Sequence, residues 1–246
     1  MTYRGQDDVE LPADIYFNPD VKGPRATLLL ISGGEDSREW GGYRDFGKLA
    51  AERGFVAVVP AKRFPPSGAG LTQGRSDTLA FIEQLERLAP DLIARSRVGL
   101  WGFSGGGTTL SIAYGKERPQ LSCVIGFYPA LAINNPAPPE WLDVYSPAHS
   151  VALHGNAESP PSLIIRAGKD IEILNNGIAE FVSKALARNV PLTLVNLPAA
   201  QHGFDWYDDT DWARAAIEEA FEFARTHTAT NGAPAARDSA ALSPKR

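Results

Sequence analysis

Three stretches carry residue types that together could do nucleophilic chemistry. Ser104 stands in Gly102-Phe103-Ser104-Gly105-Gly106, Asp170 in Ala167-Gly168-Lys169-Asp170, and His202 in Gln201-His202-Gly203-Phe204-Asp205. A serine hydroxyl is a weak nucleophile near neutral pH and needs a base within hydrogen-bonding reach. Histidine serves as that base when a carboxylate fixes its tautomer and stabilises the imidazolium. The three therefore read as nucleophile, orienting acid and general base, in that chain order. The base and the acid each have a competitor. His154-Gly155 is a second histidine–glycine pair, but it precedes the strand that delivers the acid. Glu172 and Asp205 compete with Asp170, and Asp205 is read as bracing its own loop. Cys123, inside an apolar run, reads as a core thiol.

The elements around these residues must bring them to one place. Val98 to Trp101 is a short apolar run before Gly-x-Ser-x-Gly, and Thr108 to Tyr114 is helix-like. The order predicts strand, sharp turn and helix, with the serine at a strained apex that exposes its hydroxyl. Upstream, Val9 to Phe17 alternates as a half-buried strand, leaving room for only a short leading hairpin. Ala26 to Ile31 and Phe55 to Val59 are continuous apolar runs of buried strands. Between them Phe46, Leu49 and Ala50 mark a helix over Tyr43 to Arg53. A loop is expected from Pro60 to Gly74, then a helix capped by Ser76 or Asp77 with Phe81, Ile82, Leu85 and Leu88 on its apolar face.

Downstream, strands are predicted over Leu121 to Tyr128, Ser162 to Ala167 and Pro191 to Leu197. Helices follow the last two, around Ile178 to Leu186 and Trp212 to Phe221. The segment 130–161 reads as an irregular, cap-like insertion with one short helix around Trp141. Residues 1–226 are expected to form one domain, with 227–246 a disordered tail. Strands alternating with helices imply a mainly parallel sheet covered on both faces, with chemistry at the carboxyl ends of its strands. Ser104, Asp170 and His202 all fall at such ends.

Bulk properties narrow the function classes. At 246 residues with 43% hydrophobic content the chain can bury a sizeable core. A net charge of −5 and a pI near 5.4, without a basic stripe, argue against nucleic-acid binding. One cysteine permits no internal disulfide, and no cysteine–histidine cluster has zinc-ligand spacing. No metal and no cofactor are therefore expected. Nothing resembles a signal peptide, and no apolar run approaches the roughly 18 residues of a membrane span. A cytoplasmic monomer or homodimer acting on a small molecule, away from membranes, is the expectation.

Nearly the whole chain up to the final helix resembles an α/β hydrolase of the dienelactone hydrolase-like group. The motifs that carry the resemblance are Gly-Phe-Ser-Gly-Gly at the turn, Ala-Gly-Lys-Asp after the next-to-last strand and His-Gly-Phe-Asp after the last. The resemblance implies the α/β-hydrolase fold, a three-layer sandwich. It also implies a catalytic triad and hydrolysis of esters or lactones without a metal. Dienelactone hydrolase itself uses cysteine as nucleophile; Ser104 here favours a general esterase. Oxyanion donors are expected from the Gly105 amide and from the loop after the Ala26 to Ile31 strand, with Gly34 preferred over Gly33. Phe103, Tyr128 and Trp206 flank the site as expected substrate contacts, together with Trp40 and Tyr207. The acidic turn at Glu35 and Asp36 reads as solvated. The same triad could serve acyl transfer, cyclisation, peptide cleavage or perhydrolysis, or stand idle in a ligand-binding protein.

Overall fold

Arg25–Ile31 (β3) is buried at every position, because helices cover both faces of the sheet in which it is central. Its side chains alternate between two separate cores. Leu29 and Ile31 join one, and Leu28 and Leu30 the other. Val56–Pro60 (β4) divides the same way, Val56 and Val58 against Ala57 and Val59. An apolar run without alternation is thus what a strand between two apolar layers requires.

The computed structural model describes residues 1–34, 38–63, 69–116, 119–133, 142 and 144–229. Its sheet has eight strands in the order β1-β2-β4-β3-β5-β6-β7-β8. Thr2–Arg4 (β1) and Glu10–Tyr16 (β2) form the short leading hairpin, and β2 runs antiparallel to β4. The remaining strands are parallel: β3, β4, Ile93–Phe103 (β5), Cys123–Phe127 (β6), Ser162–Ala167 (β7) and Leu192–Leu197 (β8). Gly41–Glu52 (α1) and Asp211–Thr228 (α6) supply Phe46, Ala50, Ala216 and Phe221 to one core. Ala69–Leu88 (α2), Pro147–His154 (α3) and Glu172–Ala187 (α4) cover the other face, through Phe81, Val151 and Phe181 among others. The architecture is the expected three-layer α/β sandwich. Among the described residues no helix is long and apolar enough to cross a membrane.

Three local expectations need correction. The helix placed after Gly74 starts at Ala69, so Ser76 and Asp77 lie inside α2 and cap nothing. Gly70 and Gly74 weaken the helical pattern there, and only packing against the sheet restores it. The helix after Ser104 is a 3-10 helix over Ser104–Ala113, beginning at the serine rather than at Thr108. Three successive glycines have little α-helical preference and allow this tighter coil. Within 130–161, Pro147–His154 is a regular helix with Ala148 and Val151 buried in the core. Ser146 caps it by accepting from the His149 N–H, and Pro147 fits its first turn. The short helix at Trp141, the acidic turn at Glu35 and Asp36, and the tail from residue 230 lie outside the described residues.

Asp77 has a different task. Its carboxylate, fully buried, accepts from the Arg63 N–H and Nε, both at 3.0 Å, and from Nη2 at 2.6 Å. Arg63 also holds Asp7 at 2.6 and 2.8 Å, but Asp7 is more than half exposed. Asp77→Ala is expected to lower stability by about 2–4 kcal/mol, since it strips a partly enclosed guanidinium of its buried partner. Asp7→Ala should leave the urea midpoint nearly unchanged. Equal midpoint shifts for the two variants would contradict this ranking.

Candidate active site

The strand order places the β3 and β5 ends side by side at the point where the chain reverses direction across the sheet, with Ile31 paired to Gly102. Clefts form at such switch points because the loops leave in opposite directions. Ser104 is the first residue past β5 and has φ +49, a left-handed conformation that costs a non-glycine residue on the order of 1–3 kcal/mol. Neighbours hold it there. The Ser104 carbonyl accepts from the Ala130 N–H at 2.8 Å, and the Gly33 backbone abuts its side chain. A Cβ on Gly105 would stand 2.1 Å from the Gly33 carbonyl oxygen, and one on Gly33 would stand 2.9 Å from the Ser104 Cβ. Glycine on both sides is what lets the two loops meet.

Side chains fix the loop after β3. The Gly33 N–H donates to the Tyr43 hydroxyl at 2.7 Å, and Lys62 Nζ donates to the Gly34 carbonyl at 2.8 Å. Both Tyr43 and Lys62 are buried. Neither is visible as a site residue in the sequence, because each reaches the loop from another element.

Asp170 and His202 sit past the adjacent strands β7 and β8, whose ends pair Ala167 with Leu197. Backbone bonds lock these loops together: Gly168 N–H to the Leu197 carbonyl and Lys169 N–H to the Ala200 carbonyl, both at 2.8 Å. His202 Nδ1 meets Asp170 Oδ2 at 2.7 Å. The other carboxylate oxygen accepts the Ile171 N–H at 2.7 Å, so both oxygens of this buried group are satisfied. An ionised carboxylate only accepts, so Nδ1 carries a proton and Nε2 is left basic. Glu172 is exposed and holds Asn176 instead. The structure thus joins Asp170 to His202, as expected from their positions. The described contacts include no hydrogen bond between Ser104 and His202, a contact that often closes only with substrate bound.

The expected substrate contacts fare differently. Phe103 has no exposed surface; its ring stacks on Trp101 at 5.6 Å and meets Tyr43, Phe46 and Phe127 edge-on. It is a core residue, drawn inward because β5 points it to the same face as Trp101. Tyr128 is also buried. Its ring lies 4.5 Å from the His202 imidazole, and its hydroxyl donates to Asp205 Oδ1 at 2.6 Å. Asp205 therefore braces Tyr128, not merely its own loop. That loop contains a further short helix, Phe204–Tyr207 (α5), which its four residues made invisible in the sequence pattern. Trp206, half-buried, packs between Trp40 and Tyr43. Cys123 is buried, and burial pushes its thiol up to about 12, so it is inert. Among the described residues no three His, Cys, Asp or Glu side chains are grouped to hold a metal.

With this geometry in view, the dienelactone hydrolase family profile matches residues 69–227. The chain belongs to the dienelactone hydrolase family. It is thereby a carboxylic ester hydrolase. The match spans the serine turn, Asp170 and His202. Solved structures agree in fold. Esterase 2 from Thermogutta terrifontis phosphorylated by paraoxon superposes with a TM-score of 0.75 at 22% identity, over 92% of each chain. Its butyrate-bound form gives 0.73 at 21%, over 91% of each. A brefeldin A esterase, described as a bacterial homologue of human hormone sensitive lipase, gives 0.72 at 18%, over 93% of this chain and 76% of that one. No curated protein matches the sequence.

Burial raises the Asp205 carboxyl from an ordinary 3.8 to about 7, against the opposing pull of the Tyr128 hydroxyl and His202. Between 3.8 and about 7 the folded state holds this proton while the unfolded chain does not. The resulting stabilisation is full below that window and falls as pH rises through it. Asp205→Asn cannot ionise, so the melting temperature of the variant relative to the parent should climb from pH 4.5 to 7.5. A pH-independent difference would mean that Asp205 keeps its ordinary titration.

Proposed function

We propose that the protein is a serine hydrolase that cleaves a small carboxylic ester or lactone through an acyl-enzyme on Ser104. The observation that carries this reading is the pairing of a left-handed Ser104 at the strand-to-helix turn with a 2.7 Å His202–Asp170 bond at the same sheet edge. His202 Nε2 takes the Ser104 proton as the oxygen attacks the carbonyl, and Asp170 stabilises the imidazolium that forms. The tetrahedral oxyanion is held by backbone N–H groups. Gly105 supplies one: as the second residue of the 3-10 helix it has no acceptor within that helix. Gly34 supplies the other, since the Gly33 N–H is already engaged by Tyr43. His202 then protonates the leaving alcohol and activates water for deacylation.

Trp206 and Trp40, packed edge to face and each keeping exposed surface, serve as the wall against which the acyl or alcohol group lies. Butyrate and propionate are bound in two of the structurally similar Thermogutta esterase structures, which supports short acyl chains as the first substrates to try.

A fluorophosphonate probe should label Ser104 and no other residue, as located by peptide mass spectrometry. On short-chain p-nitrophenyl esters, Ser104→Ala and His202→Ala should each lose at least about 10⁴-fold in kcat, and Asp170→Asn about 10³- to 10⁴-fold. A folded Ser104→Ala variant that keeps the parent's activity removes this mechanism.

A further inference from the structure

Among the described residues, Asp205 is a buried carboxyl beside the triad with no part in the chemistry above. It lies three residues past His202, on α5. Its Oδ1 accepts the Tyr128 hydroxyl at 2.6 Å. Its Oδ2 is enclosed without a hydrogen-bond partner, and Trp206 Nε1 stands close enough to favour the charged form while remaining outside hydrogen-bonding geometry. Tyr128 is in turn fixed at both ends. Its backbone has φ +38, its N–H donates to the Ile165 carbonyl at 2.8 Å, and its ring lies against His202 with centroids 4.5 Å apart and planes at 59°.

We infer that Asp205 is a positioning residue for His202: it holds the Tyr128 phenol in place against the imidazole. The need follows from how His202 is otherwise held. Asp170 grips one edge of the ring, at Nδ1, and a single bond leaves the ring able to swing about that contact. The His202 side chain is 42% exposed, so solvent restrains nothing on its open side. A buried aromatic ring packed against the imidazole limits the swing. The phenol can do this only while its buried hydroxyl has an acceptor, and Asp205 is that acceptor.

The inference rests on the serine-hydrolase reading, and the test separates the two. kcat and KM are measured against pH on p-nitrophenyl butyrate for the full chain and for Ser104→Ala, Asp205→Ala, Asp205→Asn, Tyr128→Phe and the Tyr128→Phe/Asp205→Ala double variant. Asp205→Ala and Tyr128→Phe should each lower kcat about 10-fold with KM within about twofold. The double variant should be no worse than the worse single one, because both cut the same link. Asp205→Asn, whose amide oxygen can still accept from Tyr128, should recover most of kcat. A residue that merely supports the fold would change thermal stability without this selective loss of kcat and its recovery in Asp205→Asn. An Asp205→Asn variant no more active than Asp205→Ala, or single effects that multiply in the double variant, overturns the inference. If Asp205→Ala fails to fold, the other two single variants decide: Tyr128→Phe must lose kcat while Asp205→Asn keeps most of it. Ester hydrolysis that survives Ser104→Ala overturns the serine mechanism instead.

Discussion

The site depends on a backbone-to-backbone approach. The loop after β3 and the turn after β5 pack so closely that a single methyl group on Gly105 would press into the Gly33 carbonyl. That approach holds Ser104 at φ +49. It is possible because β3 and β5 are neighbours in the sheet, registered Ile31 to Gly102. Fold and chemistry therefore meet at the switch point. The rigidity of two buried cores is what keeps a strained residue from relaxing.

Two buried carboxyls near His202 show how surroundings assign roles. Asp170 has both oxygens satisfied, one by a backbone N–H and one by the imidazole. Asp205 has one satisfied oxygen and one without a partner, and burial raises it to about 7. The same side-chain type thus holds the His202 ring in one loop and the Tyr128 hydroxyl in the next.

Membership in the dienelactone hydrolase family fixes the reaction class and the fold that hosts it, while the substrate is set by loops that the fold leaves free. Around the turn, aromatic side chains divide by strand direction. Phe103 and Trp101 face the core from β5, whereas Trp40, ahead of α1, and Trp206, on α5, keep exposed surface.

Much of this was legible in the chain alone. Unbroken apolar runs marked β3 and β4, and helical spacing marked α1, α4 and α6, because those patterns answer to local geometry and two-sided burial. Ser104, Asp170 and His202 were legible because each is the first or an early residue past a predicted strand, and strand ends in a parallel sheet share one edge. What the tertiary structure alone decided are the contacts that join distant segments. Tyr43 on Gly33, Lys62 on Gly34, Asp77 on Arg63 and Asp205 on Tyr128 leave no trace in spacing. The start of α2 and the 3-10 helix at Ser104 were misplaced for the same reason: glycine-rich segments have weak local preference, and packing against the sheet determines their form. Periodicity reports which face of an element is buried; only the folded chain reports what is buried against it.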